Sequence, residues 1–149
     1  GPDVPPREMP LGAQAGGFDS CGMWVDPETE WDASALRKTH QALSVTGMDL
    51  IDVEPVWLEK PEIIQSTIVA AGIELGARNV LVVSREPDRE KAQGRFQRLC
   101  EFGGTEIRLM LEFGVFTEVK SLREALMFVR EVGHPSGGVL IDQMHLNRD

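Results

Sequence analysis

From Asp32 onward the chain alternates between short apolar, β-branched runs and longer segments with helical spacing, and that alternation does most to limit its fold. Strand candidates cover residues 18–25, 48–53, 79–84, 107–112 and 139–142. Their starts recur at about 30 residues, the size of one βα unit. Val80-Leu81-Val82-Val83 and Val139-Leu140-Ile141 lack period-two alternation, as expected of parallel strands covered on both faces. Both a barrel and an open doubly wound sheet satisfy that pattern.

The segments between the strands carry helix punctuation. Asp32 caps a helix running to about Val45, with Gly47 in the left-handed position after its end. Pro61 suits the first turn of a second helix, which sets Ile64, Ile68, Ala71 and Leu75 on one stripe and stops at Gly76. A third begins near Asp88, with acidic residues in its first turn, and turns Phe96 and Leu99 inward. Ser121 and Glu124 form a capping box for a fourth, which buries Leu122, Ala125, Leu126 and Val129 before Gly133. Residues 1–17, with four prolines and four glycines, read as an irregular segment made of a loop and a poorly formed helix. Residues 18–149 form the folded domain.

A chain of 149 residues, 42% apolar, fills one ordinary domain but is short for a whole eight-stranded α/β barrel, which takes roughly 250 residues. Twenty-four acidic residues against 15 basic ones leave a net charge of −9, and no basic run is long enough to track a phosphate backbone, so nucleic acid is not an expected partner. Cys21 and Cys100 lack metal-knuckle or redox spacing and read as reduced, semi-buried thiols. No apolar run approaches the roughly 20 residues of a membrane span. The opening Gly1-Pro2-Asp3 lacks signal-peptide character and reads as a cloning scar, so a soluble cytoplasmic protein is expected.

Acidic residues sit at or just past the ends of three strand candidates, as Glu54, Glu112 and Asp142. Strand C-terminal ends are where α/β barrels assemble their sites, and no glycine-rich phosphate loop follows any strand, so the barrel is favoured. Glu112 closes Ile107-Arg108-Leu109-Met110-Leu111, where a carboxylate leaves the apolar core for the mouth. Asp142 ends the next strand, and His145 follows three residues on. Consecutive strand ends in a parallel barrel are neighbours, so the two carboxylates can share one cation. The competing reading makes each a helix cap or the partner of a Lys or Arg, and makes His145 structural. Glu54, kept extended by Pro55, is a third candidate for the mouth, against a plain surface carboxylate on a turn. Trp57 and Phe116 offer an apolar wall for a sugar ring, or simply pack over the barrel. His40 and His134 are expected to face solvent.

Gly76-Ala77-Arg78-Asn79-Val80-Leu81-Val82-Val83, Leu99-Cys100-Glu101, Leu109-Met110-Leu111-Glu112-Phe113 and Gly137-Gly138-Val139-Leu140-Ile141-Asp142-Gln143-Met144-His145-Leu146 together resemble the middle of the xylose-isomerase-like sugar phosphate isomerase/epimerase proteins. Gly47-Met48-Asp49-Leu50-Ile51-Asp52-Val53-Glu54 is similar to the third strand of one branch of that family. The resemblance runs from about Ala15 to Arg148. It implies an α/β fold, a partial (β/α)8 TIM barrel of parallel strands two to six with amphipathic helices outside, and leaves strands one, seven and eight unsupplied. It also implies a divalent metal held by Glu112 and Asp142 together with ligands from the seventh and eighth strands, with His145 contacting substrate beside the metal. Mn²⁺ or Mg²⁺ is the expected ion, with Zn²⁺ or Co²⁺ as alternatives.

The expected reaction is sugar or sugar-phosphate isomerisation or epimerisation, with Glu112 removing a proton next to a metal-polarised carbonyl. Glu54, Trp57, Phe116 and His145 are the expected substrate contacts, and the substrate is a small sugar or polyol. A lyase or dehydratase of the same fold, of the inosose, dehydroshikimate or 3-oxo-glycoside type, is the nearest rival. A non-catalytic truncated barrel acting as an assembly module is another. The open strand edges of a partial barrel favour a homo-oligomer.

Overall fold

The computed structural model describes residues 3–29 and 31–147. Gly1-Pro2, the end of the resemblance at Arg148 and the last residue of the 18–149 domain fall outside them. Five strands form a single sheet: β1 (Ser20–Trp24), β2 (Asp49–Trp57), β3 (Asn79–Val83), β4 (Arg108–Glu112) and β5 (Gly137–Leu140). All four pairings are parallel, and the spatial order β1-β2-β3-β4-β5 is the chain order. A doubly wound sheet reverses direction part-way along its strand order, and this one does not. Right-handed crossovers repeated in one direction place every connecting helix on the same side of the sheet, as in a barrel wall.

The helices are α1 (Met9–Ala15), α2 (Ala33–Thr46), α3 (Glu62–Leu75), α4 (Arg89–Gly103), α5 (Leu122–Val132) and α6 (Gln143–Leu146). Their boundaries follow the sequence punctuation. The Asp32, Asp88 and Ser121 side chains each accept a hydrogen bond from a backbone N–H three residues on. Gly47, Gly76 and Gly133 end α2, α3 and α5 with positive φ, where a side chain would be strained. At α5 the reciprocal half of the box is shifted by one residue, with Lys120 N–H donating to Glu124 Oε2 at 2.7 Å. Ser121→Ala is expected to cost about 1 kcal/mol of unfolding free energy, read as a lower urea midpoint with an unchanged slope.

The core lies between the helices and one sheet face. Val53, Val80, Val82, Leu109 and Leu111 project into it from the strands, meeting Ile68, Val69, Phe96, Cys100, Ala125 and Phe128. Phe96 and Phe128 pack edge to face, with ring centroids 5.7 Å apart. Both cysteines are free and buried. Among the described residues no helix is long and apolar enough to cross a membrane.

Several local expectations shift. Where the sequence reads as a loop and a poorly formed helix, residues 3–17 hold a 3-10 turn at Pro6–Glu8 and the seven-residue α1, which packs against β1 and α2. In α5, Leu126 is exposed and Phe128 is buried in its stead. The buried stripe runs through Ala125 and Phe128 at i, i+3 spacing, and Leu126 lies about 100° round from Ala125. The last strand is Gly137–Leu140, two residues earlier than its apolar run suggests, because pairing with β4 sets Leu109 opposite Gly137 and Glu112 opposite Leu140. Asp142 therefore lies two residues beyond its strand and caps α6. His40 is exposed as expected, whereas His134 is half-buried and accepts a hydrogen bond from Ser136 N–H at 3.2 Å.

Candidate metal centre

Parity along the strands decides which side chains can reach the barrel interior. In β4, Leu109 and Leu111 face the helices, so Met110 and Glu112 face the other way. In β2, Val53 faces the helices, and Asp52 and Glu54 share the inner face. The chain follows this face past a register shift between Val53 and Val56 and a cis Glu54–Pro55 peptide, and stays extended to Trp57. Register shifts of the bulge kind are common beside functional sites because they re-aim a side chain.

Glu112, Asp142 and His145 converge. One oxygen from each carboxylate and one ring nitrogen of the histidine all lie within 4.8 Å of one another. The two acids come from adjacent strand ends, as the parallel order requires, and the histidine from the first turn of the helix that Asp142 caps. Glu112 and His145 are each only 8% exposed, and Asp142 is half-buried.

Among the described residues no Lys or Arg forms an ion pair with Glu112 or Asp142. Glu86 shows what an ordinary structural carboxylate looks like in this chain. It pairs with Lys91 at 2.6 Å and Arg95 at 3.4 Å, and the Lys91 ammonium holds it below the usual carboxylate range. Glu112 has the opposite electrostatics. Burial, then the negative charges of Asp142 and Glu54, push its carboxyl up to about 7. Burial followed by Asp52 raises Glu54, and burial raises Asp52 itself. Carboxylates gathered without a Lys or Arg ion pair among the described residues suit a bound dication, whose charge would lower the Glu112 carboxyl again. Asp142 does act as a cap, donating nothing and accepting from Met144 N–H at 2.6 Å, but that bond occupies only one of its lone pairs. His145 Nδ1 is buried without a hydrogen-bond partner. The donor set therefore fits a divalent ion.

The remaining sequence candidates border this cluster. Trp57 and Phe116 meet edge to face with centroids 6.4 Å apart, and Phe116 leans on the His145 ring at 5.0 Å. Glu54 lies near enough for its charge to act on Glu112. Three residues escape a sequence reading centred on strand ends. Asp52 lies on the inner face beside Gly22, where an added Cβ would collide with its carboxylate; its i, i+2 spacing from Glu54 was the available signal. Arg85, just past β3, stacks its guanidinium 4.2 Å from the Trp57 ring and donates from Nε to the Phe116 carbonyl at 3.3 Å. Gly114 leaves room for Phe116 and His145, since a Cβ there would come within 2.7 Å of the phenyl ring.

No family model and no curated protein sequence matches the chain. Solved structures do. D-psicose 3-epimerase with D-tagatose from Clostridium cellulolyticum matches with a TM-score of 0.77 at 14% identity, over 97% of this chain and 60% of that one. The probable 3-DHS dehydratase AsbF from Bacillus anthracis matches at 0.72 and 14%, over 93% of this chain and 58% of that one. The IOLI protein with a binding zinc atom matches at 0.70 and 17%, over 91% of this chain and 57% of that one. The chain thus spans about three-fifths of the length of these proteins. At such identities the fold is what is shared: five consecutive βα units of a TIM barrel.

Proposed function

We propose that the chain carries part of the active site of a divalent-metal-dependent sugar or sugar-phosphate isomerase or epimerase. The convergence of Glu112, Asp142 and His145 at the ends of β4 and β5 carries this reading. Glu112 and Asp142 hold the ion, which when bound supplies Lewis acidity to a carbonyl oxygen of the substrate. Mn²⁺ and Mg²⁺ suit two carboxylates best, and the zinc atom in the IOLI structure supports a divalent site in this fold.

Glu112 is the proton-transfer group. Its carboxylate has two oxygens, so one can hold the ion while the other takes and returns the proton. Removing a proton from the hydroxyl-bearing carbon beside the carbonyl and returning it to the former carbonyl carbon, while the hydroxyl proton passes to the carbonyl oxygen, gives isomerisation. Returning it to the opposite face gives epimerisation and needs a second acid, which the family resemblance assigns to the eighth strand. Trp57 and Phe116 offer a ring-sized apolar wall, and Glu54 accepts hydrogen bonds from hydroxyls.

Dehydration is the second reading, favoured by the likeness to AsbF, because the same proton abstraction can expel a β-hydroxyl. Incubation with D-tagatose or D-fructose and Mn²⁺ in D₂O separates the two. The expected result is deuterium beside the carbonyl and an isomerised or epimerised product, both lost in Glu112→Gln. Exchange that Glu112→Gln leaves unchanged would remove Glu112 from the chemistry, and water loss from a 3-dehydro acid without any epimer would favour the dehydratase.

A further inference from the structure

We infer that Arg85 recognises an anionic substrate, taking a phosphate or carboxylate at the end of the sugar away from the reacting carbonyl. The inference rests on the sugar reading above and narrows it to charged sugars. Arg85 lies two residues past the end of β3, at the C-terminal edge of the sheet where α/β barrels build their sites. Its guanidinium stacks 4.2 Å from the centre of the Trp57 ring, and its Nε donates to the Phe116 carbonyl at 3.3 Å. The Phe116 ring in turn lies 5.0 Å from the His145 ring. The guanidinium therefore shares the mouth with Glu112, Asp142 and His145 and is set back from them by one aromatic residue.

Arg85 differs from its neighbours in having a charge that is held in place and left unanswered. Arg89 pairs with Glu131 at 2.9 Å, Arg95 with Glu86 at 3.4 Å and Lys60 with Glu28 at 2.7 Å. Arg85 forms no ion pair among the described residues, while the nearby Glu59 carboxylate accepts its backbone N–H at 3.1 Å instead. A guanidinium carries five N–H donors, and among the described residues only the one on Nε has a partner. The rest of the fork is exposed to solvent, where a ligand enters, and the Trp57 stack and the Phe116 bond have already restricted it. Such a fork matches the paired oxygens of a carboxylate or phosphate. The mouth around it is acidic, with the charges of Asp142 and Glu54 bearing on Glu112. A neutral polyol needs no cation there, whereas an anion entering that field does.

Calorimetric titration of the full chain in saturating Mn²⁺ with D-fructose, D-fructose 6-phosphate and D-fructuronate tests this, the two anions separating phosphate from carboxylate. At least one anionic sugar is expected to bind about ten- to one-hundred-fold more tightly than D-fructose, by a margin that shrinks as NaCl is raised. Arg85→Gln is expected to abolish that margin while leaving the binding of Mn²⁺ and of D-fructose as in the wild type. No margin in the wild type, or one that survives in Arg85→Gln, would overturn the inference and leave the broader sugar reading standing. A loss falling equally on D-fructose and the anionic sugars would also overturn it, making Arg85 only a tie between the loops that carry Trp57 and Phe116. A wild type that binds no Mn²⁺ would end the metal reading itself, and this inference with it.

Discussion

Glu112→Gln is expected to raise the melting temperature of the metal-free protein at pH 8 by about 6–12 °C relative to wild type, and to change it little at pH 4.5. The cause is the carboxyl pKa, near 7 in the folded protein against 4.5 for the ordinary group. The folded state then holds the proton more tightly than the unfolded state. As pH rises from 4.5 the unfolded chain ionises first and stability falls, and the full penalty is present above pH 7. A gap of that size is worth about 3 kcal/mol, and a side chain only 8% exposed is little screened by solvent. Glutamine keeps the shape and removes the titration. Thermal melts of both proteins in chelator at the two pH values provide the check, and an equal or lower melting temperature for the variant at pH 8 would show that Glu112 is not buried among negative charges.

The same side chain is expected to reverse its effect when metal is present. Mn²⁺ at one hundred times its dissociation constant contributes about 2.7 kcal/mol, or roughly 5–10 °C, to the wild type. Glu112→Gln and Asp142→Asn should lose this rise. Protons compete with the ion for Glu112, so the gain should be larger at pH 8 than at pH 6. The substitution that stabilises the empty protein is thus the one that abolishes stabilisation by metal. A purely structural carboxylate would show the first effect or neither, but not the pair.

Much of the architecture was legible because it rests on local signals that tertiary structure reinforced. Asp32, Asp88 and Ser121 cap helices, Gly47, Gly76 and Gly133 end them, and apolar runs such as Val80-Leu81-Val82-Val83 form the buried strands. The choice of barrel over open sheet was not in the periodicity, because strand order is a long-range property that both folds leave free. The placement of Glu54, Glu112 and Asp142 at strand ends supplied the hint, and the sequential order β1 to β5 decided it.

At the site, adjacency of β4 and β5 made the pairing of Glu112 with Asp142 foreseeable. His145 was placed beside the metal only by the family resemblance, because its position depends on a four-residue helix that turns the ring back over the strand ends. Arg85 and Gly114 were illegible for the same reason. Their importance comes from the Trp57–Phe116–His145 row, whose members belong to different βα units and meet only in the folded protein. Leu126 was misplaced by a simpler route, since an apolar residue beside a helical stripe reads like a member of it.

The proposed site requires one ion shared between neighbouring strand ends. Crystals soaked in Mn²⁺ and measured at the manganese absorption edge test it most directly. The expected anomalous peak lies about 2.0–2.6 Å from an oxygen of Glu112 and from an oxygen of Asp142, the range for a hard cation on oxygen ligands. A peak elsewhere on the protein, or the two carboxyl groups turned into separate ion pairs with no peak between them, would contradict it.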